Sequence, residues 1–110
     1  MWGKSRTLIL IGGALVLGGC ATSSTYLDDT YEQAKKLYES KEYEQAKQYY
    51  LQFSEANPQS PLIEVTTYYL ANCYKQTGQT DKAKAAYQKL IDKFQSGFWV
   101  DLARQEISKL

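Results

Sequence analysis

Few residues in this 110-residue chain have the type and spacing to do chemistry. There is no His, so imidazole acid–base catalysis, His-containing triads and His-ligated metal sites are excluded. The two cysteines, Cys20 and Cys73, lie too far apart for a CxxC redox or zinc motif. Asp28 and Asp29 are adjacent acids, but neighbours in sequence do not face each other on a helix, and they suit the first turn of one instead. No glycine-rich phosphate loop and no nucleophile motif is present. With 13 basic against 12 acidic side chains, the chain lacks the charge of a nucleic-acid binder. The sequence therefore reads as a non-enzyme with no metal and no nucleic-acid partner. One nucleophile stands in an ordered context: Cys20, preceded by Leu17-Gly18-Gly19 and followed by the small polar run Ala21-Thr22-Ser23-Ser24.

The segment before Cys20 has the plan of a secretory leader. Lys4 and Arg6 open it, and Leu8 to Gly19 is uncharged. That apolar run is shorter than the roughly 20 residues a membrane-spanning helix needs. The rest of the chain reads as helix. Apolar residues recur at three- and four-residue steps, as in Tyr31, Ala34, Leu37 and Tyr38, or Ala83, Ala86, Tyr87, Leu90, Ile91 and Phe94. Five helices are expected near 26–40, 43–56, 61–77, 81–95 and 98–109. Ser60 and Pro61 fit an N-cap and first turn, and Thr80 fits a second N-cap. Gly78 and Gly97 fit the left-handed residue that follows a helix end. Ten of the 15 aromatic residues are Tyr, which suits a folded, contact-making domain.

Sliding the chain against itself by 37 residues pairs Thr30 with Thr67, Tyr31 with Tyr68, Ala34 with Ala71, Ala46 with Ala83, Lys47 with Lys84 and Tyr50 with Tyr87. A fixed period with two helices per unit marks a helical repeat array. Each unit resembles a tetratricopeptide repeat. The second matches best, through Leu70-Ala71, Tyr74, Gly78, Ala83, Tyr87 and Leu90. The first supplies Ala34, Leu37, Tyr43, Ala46, Tyr50 and Pro58. The alanines stand where paired helices cross, and Tyr50 and Tyr87 fill the gap to the next helix. The long Asn57-Pro58-Gln59-Ser60-Pro61 link resembles the repeats of two periplasmic groups. One is the lipoprotein of the outer-membrane β-barrel assembly machinery, and the other is the Tol–Pal-associated coordinator of cell division.

Leu17-Gly18-Gly19-Cys20 resembles the lipobox of bacterial lipoproteins at all four positions. The resemblance implies cleavage before Cys20, a diacylglyceryl group on its thiol and an acyl chain on its amine, with no other cofactor. Without Lys4 and Arg6 the remainder has 11 basic and 12 acidic side chains, so lipid rather than charge would hold it to a membrane. Ala21, where inner-membrane relatives carry Asp, implies the periplasmic face of the outer membrane in a double-membraned bacterium. Cys73 is then left without an intrachain partner and fits a small apolar residue in a helix interface.

The expected organisation is all-α. Residues 1–19 form a cleaved signal peptide and 20–26 a lipidated tether. Residues 27–110 form the repeat domain: repeat 1 at 27–60, repeat 2 at 61–97 and a capping helix at 98–110. The repeat resemblance implies a concave groove along the first helix of each unit, placing Tyr31, Lys35, Tyr38, Tyr68, Asn72 and Lys75 on a partner-binding face. Asn can hold a peptide backbone, Lys can meet a carboxylate, and Tyr offers apolar area at low entropy cost. The expected function is a lipid-anchored adaptor that binds other cell-envelope proteins in an outer-membrane or envelope assembly complex. The alternatives are a self-associating structural subunit and a peptidoglycan-binding lipoprotein.

Overall fold

The computed structural model describes residues 29–110. Cys20, the leader and the tether lie outside the described residues. Five helices follow one another: α1 over 29–39, α2 (Tyr43–Ala56), α3 (Ile63–Gln76), α4 (Thr80–Phe94) and α5 (Phe98–Lys109). Among the described residues no strand occurs, and no helix is long and apolar enough to cross a membrane.

The 37-residue period is visible in the turns as well as the sequence. At the end of α1, Glu42 N–H bonds the Leu37 carbonyl at 2.9 Å, with Lys41 left-handed at φ 63°. At the end of α3, Gln79 N–H bonds the Tyr74 carbonyl at 2.8 Å, with Gly78 left-handed at φ 81°. These are the same helix-terminating turn, which satisfies an orphan carbonyl and reverses the chain. Each turn folds a hairpin, α1 with α2 and α3 with α4. Lys41 adopts in the first hairpin the conformation that glycine holds at less cost in the second.

Ala34, Ala46, Ala71, Ala83 and Ala103 are all fully buried, as the need for close helix crossings predicts. Tyr50 and Tyr87, their equivalents one helical turn on, are buried beside them. Two continuous clusters result. One joins Ala34, Ala46, Tyr50, Leu70 and Cys73; the other joins Tyr68, Ala71, Ala83, Tyr87, Leu90 and Ala103. Helix α3 contributes to both, so it is covered on nearly every side. The first helices α1, α3 and α5 form one layer, linked by Tyr38–Tyr69 and Lys75–Glu106 contacts. Helices α2 and α4 form the other, each packed on α3.

Three terminal details differ from the sequence expectation. Helix α3 begins at Ile63, and Ser60 caps the turn before it, its Oγ accepting from Leu62 N–H at 3.0 Å. Pro61 thus lies in the lead-in turn rather than in the helix itself. Thr80 is already helical, and Gln79 occupies the N-cap without a side-chain bond. The left-handed residue after α4 is Gln95 at φ 67°, while Gly97, at φ 125°, stands at the start of α5.

The last helix packs through Val100 and Ala103, which are buried, and through the partly buried Trp99, Leu102 and Ile107 beside Tyr87, Ile91 and Phe94. Asp101, Arg104, Gln105 and Ser108 are exposed on its outer side. An apolar inner face and a polar outer face are what the end of a repeat stack requires.

Candidate protein-interaction surfaces

The face built by α1, α3 and α5 carries all six residues singled out by the sequence, in very different states. On α1, Tyr31 and Tyr38 are half-buried, and Lys35 is exposed one turn from each. Tyr31 packs its ring against Tyr50 and Phe53 of α2 at 6.2 and 5.4 Å. Tyr38 packs edge-on against Tyr43 and Tyr69 at 5.2 and 4.8 Å. Burial pushes the Tyr38 hydroxyl up to about 12, against the opposing effect of its bond to Asn72. It therefore stays a neutral phenol at physiological pH.

On α3, Tyr68 is buried, and the Trp99 ring of α5 lies 5.3 Å from it. Asn72 is 7% exposed. Its carbonyl accepts from the Tyr87 hydroxyl of α4, and its amide donates to the Tyr38 hydroxyl at 3.2 Å. One side chain thus ties three helices together. Lys75 pairs with Glu106 of α5 at 2.5 Å, with Lys109 adding a 3.5 Å contact. The hydrogen bond from Lys75 holds the Glu106 carboxyl below its ordinary value. Of the six residues, Lys35 alone is exposed and makes no ion pair with a described residue.

Three further aromatics complete this face. Tyr69 is the hub, meeting Tyr38, Tyr50, Tyr68 and Trp99 within 6.2 Å. Trp99 spans Tyr68 and Tyr69, and Phe98 stands beside it at 5.0 Å, 67% exposed. The rings from Phe53 through Tyr31, Tyr50 and Tyr69 to Trp99 and Phe98 form one unbroken chain of contacts across four helices, α1, α2, α3 and α5. Such pairs contribute about 0.5–1.5 kcal/mol each beyond burial, so the face is held rigid. The doubled tyrosine at 68–69 was the available sequence signal for this hub, since the repeat pattern accounts for only one.

Cys73 is fully buried, and burial pushes its thiol up to about 12. A thiol that is neither ionised nor accessible packs as a small apolar residue. Among the described residues no group of three or more His, Cys, Asp and Glu is placed to hold a metal ion.

The opposite face holds a cleft of about 470 Å³ between α2 and α4, floored by α3. Leu51, Ile63, Leu70, Leu90 and Phe94 supply its apolar lining. Lys82, Lys89 and Lys93 stand along the α4 wall, and Glu55 stands on the α2 wall.

Residues 67–96 match the family model of the tetratricopeptide repeat, which spans most of α3 and all of α4. Neither the curated proteins nor the solved structures give a match to the chain. The described residues form an all-α helical-repeat fold whose second hairpin matches the tetratricopeptide repeat. Repeats of this kind generally mediate protein–protein interaction, and both faces offer surface for it.

Proposed function

We propose that this chain is a lipid-anchored adaptor that binds other cell-envelope proteins through the face of α1, α3 and α5. The supporting observation is the rigid aromatic chain that ends at exposed Phe98 and includes Tyr31, one helical turn from exposed Lys35. A partner segment laid across it meets preordered rings and pays little side-chain entropy, which is how aromatic surfaces gain affinity. Tyr31, Tyr38, Tyr69 and Phe98 supply apolar area, and Lys35 meets a carboxylate. Tyr68, Asn72 and Lys75 hold that surface in shape.

The leader pattern ending in Leu17-Gly18-Gly19-Cys20 supports acylation of Cys20, and Ala21 supports the periplasmic face of the outer membrane. Several acyl chains, at about 0.8 kcal/mol per buried CH₂, make a firm anchor. Confinement to a surface raises local concentration, so a modest affinity suffices.

The test is co-purification of the intact chain from detergent-solubilised envelopes, quantified by mass spectrometry. Tyr31→Ala combined with Lys35→Glu and Phe98→Ala should deplete a defined set of envelope proteins while the helical circular dichroism persists. Unchanged recovery of every co-purifying protein would refute the adaptor reading. Cys20→Ala should abolish incorporation of a fatty-acid analogue, and equal label in both forms would refute the anchor.

A further inference from the structure

We infer that the cleft between α2 and α4 is a second docking site, on the face opposite the aromatic chain, for an acidic amphipathic helix of a partner protein. The cleft runs along α3 from Ile63 to Tyr74, roughly 16 Å or three turns at 1.5 Å per residue. Its floor is largely apolar, through Ile63, Leu70 and Tyr74, its walls add Leu51, Leu90 and Phe94 beneath a charged rim, and Pro58 of the long α2–α3 link also lines it. A groove of this length between two helices suits the apolar stripe of a third helix.

Charge selects the chemistry of that helix. Lys82, Lys89 and Lys93 fall within about 40° of one line on α4, spaced roughly 10 and 6 Å along its axis. All three are exposed, and none makes an ion pair with a described residue. Lys82 and Lys93 lie instead over the rings of Tyr74 and Phe94 at 5.9 and 5.5 Å. Their charges are spread over about three turns, so one anionic headgroup cannot neutralise them. A helix carrying carboxylates at the same seven- and four-residue spacing can. Among the described residues Glu55 is the one acid lining the cleft and stands on the other wall, so the acidic edge of the partner must face α4. This sets which edge of the bound helix faces each wall.

The experiment places a photo-crosslinking benzoylphenylalanine at Ala85, an exposed residue lining the cleft, in the full chain in the cells that make it. Adducts are mapped to sequence by mass spectrometry. The expected adduct joins an amphipathic stretch of a different protein with acids along one edge. Its yield should fall about tenfold or more when Lys82, Lys89 and Lys93 are replaced by Glu, and less when they are replaced by Gln. Circular dichroism of both variants checks that the helices remain folded, and Lys36→Glu, an exposed change on α1, which does not line the cleft, should leave the yield unchanged. An adduct with a second copy of this chain, an adduct with lipid, a basic or non-helical partner segment, or no adduct would each overturn the proposal. So would a yield indifferent to charge reversal.

Discussion

Tyr87→Phe removes one hydroxyl from the centre of the molecule, and its cost follows from what that hydroxyl satisfies. Tyr87 is fully buried, and its O–H donates to the Asn72 carbonyl, itself 7% exposed. With the hydroxyl gone, the carbonyl keeps its burial and loses its donor, which typically costs about 1–3 kcal/mol. The apolar ring recovers part of this, leaving about 1–2 kcal/mol. A domain of this size shifts by about 4–8 °C in Tm per kcal/mol, so thermal circular dichroism should show a fall of roughly 4–16 °C. Tyr38→Phe breaks a longer bond, 3.2 Å, at a half-buried site where water can substitute, and should cost about 0.5 kcal/mol. A double-mutant cycle of Tyr87→Phe with Asn72→Ala should give a coupling above about 1 kcal/mol. If the two changes add within about 0.5 kcal/mol, or Tyr87→Phe leaves Tm unmoved, the three-helix tie at Asn72 does not exist in solution.

Three other outcomes follow from the packing and electrostatics. Ala83→Ile should lower stability by about 1–3 kcal/mol, because Ala83 is fully buried at a helix crossing, whereas Ala85→Ile on the exposed side should not; equal melting would refute the packing register. Glu106 has its carboxyl lowered by Lys75, so its contribution is complete above the ordinary carboxylate value and lost as pH falls through the lowered one; Glu106→Gln should cost about 1 kcal/mol at pH 7 and make acid unfolding shallower. Gln95→Gly should raise Tm, since Gln95 sits at φ 67°, where a Cβ costs about 1 kcal/mol or more; a lower Tm would show that its side chain contributes more than its backbone strain.

The parts of the fold set by local pattern were legible in the sequence. Ala34, Ala46, Ala71 and Ala83 recur at the 37-residue period because two helices can approach closely only over small side chains, and all four are fully buried. The helix ends were less legible, since Ser60 can cap either a helix or the turn before it, and only tertiary packing selects Ile63 as the first helical residue. The left-handed conformation of Gln95 carries no compositional mark. The surface divides the same way. Position along α1 and α3 places Tyr31, Lys35, Tyr38, Tyr68, Asn72 and Lys75 on one layer. Nothing local to Asn72 reveals that Tyr87, 15 residues on, reaches its carbonyl. Lys75 is engaged by Glu106 from α5, a contact across 31 residues that the repeat pattern leaves unspecified. Trp99 covers Tyr68 for the same reason, because its position depends on the turn at 95–97.

Whether the α1–α3–α5 face binds protein is read directly by one crosslinking measurement. Benzoylphenylalanine in place of Glu39 sits on the exposed side of α1, one helical turn from Lys35, which is kept. In living cells carrying the full chain, irradiation should yield a discrete adduct with another cell-envelope protein. That adduct should be lost when Tyr31→Ala and Phe98→Ala are combined, and retained when Lys89→Glu alters the opposite cleft. No adduct, or one whose yield ignores the aromatic substitutions, would show that this face does not bind protein.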